Sequence, residues 1–513
     1  MSTDSDMDVD VAVAVTAVAR TAVRPVDGEL AGWNPVELAG VVGREVLERA
    51  GLGAGDLDEV VVGCADPVGA CGADAARAIV LAADWPVSVG GMVVDRGETS
   101  GLAAVQAAAA AIRAGQARTV LVVGLGLCSV VPPGAAALNR TYGAPWGGVA
   151  ERFAAAGGLL PGPRLSERAA LAAGIDRAAL DAAAEESRRR RTESGESRQS
   201  REPGRPGELG ESRKPGESRK PGESRQPGGS GEPTEPGESG ESREPEESGA
   251  ASAIVAVAAR PGDAAGRGVY PGDPVPADVV RDWGDPAELP PAFDDEGLLT
   301  AATFAPPADG VAAVLLQAVE GRAEPPPAGR PAEATTPSTP AAGVLSAPSQ
   351  AAGTESKPPD AQPAGEAIGP TDASTAEMPT ASRSDSGSGQ AWGPGPVLAT
   401  VVGTGRAAGD PFDPVGDVAV AVEQALAGTG LDAVDDIAVV EHDAATVMLV
   451  ERALGVDAGR INRAGGAVAT GNPGAAEELR LITDGLAVTG GLLLTISAGP
   501  TGSAAILLRR IFR

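Results

Sequence analysis

The chain has 513 residues and a formal net charge of −29, because 70 Asp and Glu outnumber 41 Lys and Arg. An acidic surface repels the phosphates of nucleic acids, so we expect no nucleic-acid partner. We also expect no membrane anchor, because no apolar run approaches the roughly 20 residues of a membrane-spanning helix.

Cysteine and histidine usage limits the chemistry further. The three cysteines, Cys64, Cys71 and Cys128, do not form a disulfide pattern, and His442 is the only histidine. So few cysteine and histidine ligands predict no metal site, and unpaired thiols are typical of a reducing compartment. We therefore expect a cytoplasmic protein without a metal cofactor.

Two segments contain almost no large apolar residues. Residues 186–249 are mainly Glu, Ser, Arg, Pro and Gly and include the repeated hexapeptide GESRKP, and residues 322–395 are rich in Pro, Ala, Ser and Thr. Neither composition buries enough apolar surface to offset the entropy lost on ordering. We predict a disordered repeat insert at 186–249 and a disordered linker at 322–395.

Predicted strands and helices alternate in the first block of the chain. The strands are predicted at 11–20, 57–65, 87–95 and 118–126, and the helices at 34–51, 72–85 and 100–115. The strand at 118–126 is continuously apolar, which indicates a sheet covered on both faces.

The rest of the chain repeats this alternation. A helical run at 165–191 is followed by two predicted strands, at 251–260 and 310–320. The last block contains predicted strands at 397–405, 435–445, 492–499 and 502–510, and helices at 415–430 and 475–491. The similar order of elements in the first and last blocks implies an internal duplication.

Several stretches, taken in chain order, resemble the thiolase family of acyl-CoA acyltransferases. They include VTAVARTAVRP, VVDRGETSGLAAVQAAAAAIRAG, GRINRAGGAVATGNPGAAEELRLIT and LLLTISAGPTGSAAILL. The resemblance implies an α/β, thiolase-like fold with two α-β-α-β-α half-repeats, a loop domain and two disordered inserts. It places the N-terminal half at 9–130, the loop domain and the end of that half at 131–321, and the C-terminal half at 396–513.

The resemblance also gives each catalytic side chain of the family a matching position. The cysteine that accepts the acyl group corresponds to Glu98, and the histidine that deprotonates it, in a Gly-His-Pro loop, corresponds to Asn472. The second cysteine, which moves a proton at the α-carbon, corresponds to Ser497. An asparagine that orients a water corresponds to His442 or to Asp443, since the alignment is uncertain by one residue.

These replacements predict loss of the covalent mechanism. A carboxylate such as Glu98 suits a helix N-terminus electrostatically, whether or not it reacts. The amide of Asn472 cannot accept a proton near neutral pH, and the Ser497 hydroxyl is too weak an acid without a base beside it. The backbone N–H groups of Glu98 and Gly499 match a second oxyanion hole, which needs no side chain.

Two further positions bear on ligand binding. Residues 302–306 stand where the family has a Gly-Asn-x-Ser-Gly loop that meets the pantetheine arm of CoA, and none of those side chains is kept. Cys128 follows a predicted strand, and nothing in the sequence supplies it with a base. We interpret it as a buried thiol.

Three functional hypotheses follow. The first is a catalytically degenerate thiolase-family protein that acts as a partner subunit or binds CoA or an acyl-CoA. The alternative is an active acyl-CoA acyltransferase or a decarboxylase-like enzyme that uses Glu98 and His442. The third is a scaffold whose inserts recruit partners. The family resemblance implies a homodimer or tetramer, and the first hypothesis also admits a hetero-oligomer with an active thiolase-like subunit.

Overall fold

The structure is a computed structural model, and it describes residues 11–138, 147–154, 160–199, 254–255, 257–258, 274–275, 277–293, 297–320 and 396–512. The predicted linker at 322–395 and most of the predicted insert at 186–249 lie outside these residues.

The described residues form strands and helices in an alternating order. The strands are β1 (Val11–Arg20), β2 (Arg24–Pro25), β3 (Glu59–Gly63), β4 (Gly90–Val94), β5 (Thr119–Leu127), β6 (Val257–Ala258), β7 (Pro274–Val275), β8 (Ala308–Glu320), β9 (Ala399–Ala407), β10 (Asp436–Val439), β11 (Leu492–Gly499) and β12 (Gly502–Arg510). The helices are α1 (Pro35–Ala50), α2 (Ala75–Ala82), α3 (Ser100–Arg113), α4 (Ala135–Leu138), α5 (Gly147–Phe153), α6 (Gly162–Ala172), α7 (Arg177–Gln199), α8 (Val418–Leu426), α9 (Ala444–Leu454), α10 (Ala467–Thr470) and α11 (Ala475–Val488).

The main strands of both halves join into one sheet. Its order is β10-β11-β12-β9-β1-β8-β5-β3-β4, and β2 pairs with β8. In the N-terminal half β3 is parallel to β4 and β5, and in the C-terminal half β10 is parallel to β11. A short antiparallel contact between β1 and β9 connects the halves, through Ala14 with Thr400 and Val15 with Ala399.

Alternate residues of each strand face different helix layers. On β3, Val60 and Val62 pack with α1 and α2, whereas Val61 faces α3 and α11. In the C-terminal half β11 likewise turns Ile496 toward α8 and α9. The apolar core therefore consists of three clusters that separate five layers, with α3 and α11 as the central layer. This order matches the predicted α-β-α-β-α arrangement.

Most predicted elements of the first and last blocks are present, and two predictions were incomplete. The helical run at 165–191 is two helices, α6 and α7, because Gly174 adopts a left-handed conformation with φ 68°. Helix α9 was not predicted. Of the predicted strand at 251–260, the described part consists of a bridge between Ile254 and Arg20 and the two-residue strand β6.

The start of the predicted insert at Glu186 was wrong. Helix α7 continues through Gln199, and its arginines pair with carboxylates of the same helix or of the core. Arg191 is only 5% exposed and lies 2.9 Å from Asp484 on α11. Arg190 pairs with Glu186 one turn away, at 2.6 Å. The charged composition of this segment therefore reflects a helix bound to the core by ion pairs.

Candidate active site

The predicted site residues meet at one edge of the sheet, beyond the carboxyl ends of parallel strands. The Glu98 turn follows β4, and His442 follows β10. Strand β11 is parallel to β10, with Ile496 opposite Val439, so Ser497 and Gly499 lie at the same edge. Such edges are where open α/β sheets bind their ligands.

The turn that carries Glu98 is held tightly by local hydrogen bonds. Gly97 has a φ of 54°, a left-handed conformation that favours glycine, and a Cβ there would lie 2.7 Å from the Thr501 side chain. The half-buried Glu98 carboxylate accepts a hydrogen bond from Thr501 Oγ1 at 2.6 Å. Its side chain lies against Gly499. Glu98 is thus turned toward the loop after β11.

His442 and Asn472 form a second pair, fixed by the backbone of the loop between them. The Ala305 N–H donates to the His442 carbonyl at 3.1 Å, and the Asn472 N–H donates to the Pro306 carbonyl at 2.8 Å. The Asn472 carbonyl in turn accepts from the Ala308 N–H at 3.1 Å. Residues 303–308 therefore lock the two side chains side by side.

An arginine organises the backbone of residues 302–306, which the sequence places where the family's pantetheine loop is expected. Arg281 Nη1 donates to the Phe304 carbonyl and to the Val468 carbonyl, both at 2.9 Å. It thereby ties this loop to α10, which leads directly into the Asn472 loop. The loop is ordered without presenting the side chains that the family uses for the pantetheine arm.

The hydrogen bonds of Asn472 determine the tautomer of His442. Asn472 Oδ1 accepts the Gly474 N–H at 2.9 Å, so its Nδ2 faces His442 Nδ1, at 3.4 Å, as a donor. His442 Nδ1 must then accept, and the ring proton lies on Nε2. Nε2 is buried and makes no hydrogen bond of standard geometry among the described residues, although the Ala498 carbonyl lies near enough to interact with the ring. Burial lowers the pKa of His442, against the opposing effects of the Glu98 carboxylate and the Ala498 carbonyl.

Asp443 does not share this cleft. Its Oδ1 accepts the Thr446 N–H at 2.7 Å and the Thr446 hydroxyl at 3.1 Å, so it caps helix α9. The side chain is fully buried, and desolvation raises its pKa to about 6. Of the two alternatives left open by the sequence, His442 is the one placed beside Asn472, and Asp443 has a structural role.

Ser497 connects the Glu98 turn to a carboxyl group that sequence reasoning missed. Its fully buried hydroxyl donates to the Glu98 carbonyl at 2.8 Å and also contacts the side chain of Glu478. Glu478, on α11, is 1% exposed and accepts the Gly101 N–H at the start of α3. Burial raises its pKa to about 8, and the nearby Glu98 charge adds to this. Two adjacent glutamates in an otherwise buried helix were the available signal.

Cys128 offers no nucleophile to this site. Cys128 borders the Asn472 loop, with its Sγ 4.0 Å from the Asn472 carbonyl oxygen. Burial raises the pKa of its thiol to about 12, so the reactive thiolate is scarce at neutral pH. The interpretation of Cys128 as a buried thiol is confirmed. All three cysteines are free.

Metal-binding clusters and membrane-spanning helices are both absent from the described residues. No cluster of three or more His, Cys, Asp or Glu side chains with the geometry to hold a metal ion occurs among them. In the same part of the chain, no helix combines the length and apolar character needed to cross a membrane.

Comparison with known proteins agrees with this architecture. The thiolase N-terminal domain matches residues 13–200, and the thiolase C-terminal domain matches residues 395–504. The human mitochondrial 3-ketoacyl-CoA thiolase superposes with a TM-score of 0.65 over 98% of this chain and 100% of its own, at 17% identity. That likeness establishes the fold.

Sequence relatives match shorter stretches. An acetyl-CoA acetyltransferase of Pseudomonas aeruginosa is 39% identical over 122 residues, which is 23% of this chain and 31% of the relative. A steroid 3-ketoacyl-CoA thiolase of Mycobacterium tuberculosis is 36% identical over 113 residues, 22% of this chain and 28% of the relative. The matches thus span about a third of these relatives or less. With both domains matched in order and the fold shared, the chain belongs to the thiolase family.

Proposed function

We propose that this protein binds an acyl thioester of CoA in the cleft formed by the Glu98, His442 and Asn472 loops, without transferring the acyl group to a cysteine. The observation that carries the proposal is the carboxylate of Glu98 in the turn before α3. Where the family has its cysteine, a carboxylate is hydrogen-bonded to Thr501 and packed against Gly499.

The neighbouring groups support a binding role. Asn472 is occupied by the Gly474 N–H and by His442, and its amide accepts no proton. Neutral His442 presents a buried Nε2–H that makes no hydrogen bond of standard geometry, and a thioester carbonyl oxygen is an acceptor of the right kind. We also predict that the backbone N–H groups of Glu98 and Gly499 donate hydrogen bonds to a second carbonyl oxygen of the ligand.

In this proposal the protein is a partner subunit or an acyl-ligand-binding protein, as a homodimer, a tetramer or a hetero-oligomer with an active thiolase-like subunit. We further propose a cytoplasmic location, which the three free cysteines favour. Light scattering on the pure protein tests the homo-oligomer, since a monomer at micromolar concentration would exclude it.

Calorimetric titration tests the binding proposal. We expect an acyl-CoA and its non-hydrolysable ketone analogue, in which a CH₂ separates the sulfur from the carbonyl, to bind with similar affinity, and no free CoA to appear. His442→Ala should weaken both ligands by about tenfold, the equivalent of one buried hydrogen bond to the carbonyl. Absence of binding by the parent protein would overturn the proposal.

A second candidate function rests on the clustering of shifted pKa values around Glu98, which is typical of catalytic sites. Here the Glu98 carboxylate attacks the thioester carbonyl, a mixed anhydride forms, and CoA leaves as the thiolate. Release of free CoA by the parent protein, abolished in Glu98→Ala, would favour this candidate over pure binding.

A further inference from the structure

The site contains a buried carboxyl group, Glu478, whose surroundings differ from those of an ordinary structural glutamate. Residues 475–486 of α11 are all buried in the central layer of the fold. Glu478 approaches the start of α3 so closely that a Cβ on Gly101 would clash with its carboxyl group. A glycine at 101 is therefore required by this contact.

The first contact of Glu478 is with the free N–H groups of α3. Thr99, at the N-cap, makes no side-chain cap, which leaves the first-turn N–H groups without an internal partner. Glu478 Oε2 accepts the Gly101 N–H, and the Leu102 N–H also interacts with this carboxyl group. Glu478 thus caps, from the C-terminal half, the helix that begins just after Glu98.

The second contact passes through Ser497. The Ser497 hydroxyl donates to the Glu98 carbonyl at 2.8 Å, and it lies near enough to the Glu478 carboxyl group to influence the pKa of that group. A hydroxyl that donates to one group can accept from another. A carboxyl group that keeps its proton would complete the chain Glu478–Ser497–Glu98, whereas an ionised one competes for the Ser497 proton.

The charges around Glu478 favour the protonated form. The charged group that faces it is Glu98, a like charge, and Glu478 Oε1 has no partner among the described residues. Strands β5 and β8, which also pack on α11, contribute apolar residues such as Val122 and Val314. On its own helix, Glu477 and Arg480 pair with each other. Burial, with the Glu98 charge adding to it, outweighs the opposing effect of Ser497 and of the Gly101 and Leu102 N–H groups and raises the pKa of Glu478 to about 8.

We propose that Glu478 is a positioning residue that holds a proton at neutral pH and, through Ser497, keeps the Glu98 turn in the conformation that receives an acyl carbonyl. This inference rests on the proposed function for its ligand. Ionisation of Glu478 adds a second negative charge beside Glu98 and withdraws the Ser497 hydroxyl, so ligand binding weakens as the pH rises through the pKa.

Infrared spectroscopy combined with ligand titration tests the proposal on the full chain. The carbonyl stretch of a protonated carboxylic acid should be present at pH 7, disappear as the pH rises through about 8, and be missing in Glu478→Gln. Affinity for the non-hydrolysable ketone analogue of an acyl-CoA, which keeps the carbonyl and has no titrating thiol, should fall about tenfold in the parent protein between pH 7 and pH 9, since only about one molecule in ten remains protonated. In Glu478→Gln, affinity should stay constant over this range.

The matched control is Glu423→Gln, an exposed glutamate on α8, which should reproduce the parent profile. If no acid band assignable to Glu478 is present at pH 7, or if the parent and Glu478→Gln share one binding profile, Glu478 is only a helix cap and the inference is overturned. If the parent binds the analogue at no pH, the proposed function fails, and the infrared band alone decides whether Glu478 holds the proton.

Discussion

Glu477 and Glu478 are neighbours on α11, and both are 1% exposed or less, yet their surroundings differ completely. Glu477 receives two hydrogen bonds from Arg480, at 2.5 and 2.6 Å. Glu478 receives backbone N–H groups and a serine, and the charge that faces it is the like charge of Glu98. A buried carboxylate that is paired with an arginine (matched burial) indicates a structural role. A buried carboxyl group without a cation beside it (unmatched burial) indicates a group whose protonation is coupled to the site.

Glu477 belongs to a larger balanced network. Its other members are arginines and carboxylates that are 5% exposed or less: Arg20, Arg191, Arg480, Asp278 and Asp484. Three arginines thus face three carboxylates. They join β1, α7, the segment around Asp278 and α11, so the network fixes α7 against the core while the Glu478 side of α11 remains able to titrate.

The largest expected effect on stability comes from removing an arginine of the balanced network. Arg480→Met leaves Glu477 and Asp484 buried with one cation fewer, and we expect the free energy of unfolding to fall by about 3–5 kcal/mol. Chemical denaturation measures it. Arg406→Met, at an exposed arginine on β9, should change stability by about 0.5 kcal/mol or less. Equal effects of the two variants would contradict the distinction between matched and unmatched burial.

The next effect is the pH dependence that Glu478 imposes on folding. Its pKa is raised in the folded protein from 4.5 to about 8. Between these values the folded state keeps a proton that the unfolded state has lost, so stability is highest at low pH and falls as the pH rises. From pH 5 to pH 8 the parent should lose about 3 kcal/mol more than Glu478→Gln. Parallel stability curves would show that Glu478 is ionised throughout.

A smaller effect is expected at the turn itself. Gly97→Ala places a Cβ at a left-handed position and against Thr501, and should cost about 1–2 kcal/mol in the free energy of unfolding. Gly55→Ala is the control, because a Cβ there meets nothing within 4 Å. If Gly97→Ala is as mild as the control, the turn is less constrained than its hydrogen bonds indicate.

The smallest effect tests the coupling between the two glutamates. Glu98→Gln removes the like charge that raises the pKa of Glu478. The acid band of Glu478 should then disappear at a lower pH, by about half a unit to one unit, the size expected for one nearby charge at high effective dielectric. An unchanged midpoint would mean that Glu98 does not act on Glu478.

The order of elements could be predicted because local patterns carry it. Apolar runs located the strands, and the family resemblance pointed to Glu98, in the turn after β4, and to Ser497, near the end of β11. The partner of the Gly101 N–H could not be predicted, because it lies 377 residues away. The helical character of residues 186–199 was missed for a similar reason, since Arg191 is stabilised by Asp484 on α11. The sequence could not decide between His442 and Asp443, because only the structure shows that Asp443 caps helix α9.

The central claim is that this member of the thiolase family keeps the architecture but not the covalent step. Intact-mass measurement after incubation with acyl-CoAs tests it most directly, with the parent and the double variant Glu98→Cys, Asn472→His side by side. We expect no added acyl mass on the parent, and an acyl thioester on the double variant, because a cysteine at this helix N-terminus with a histidine base regains a nucleophile. Acyl mass on the parent that is lost in Glu98→Ala would contradict the claim.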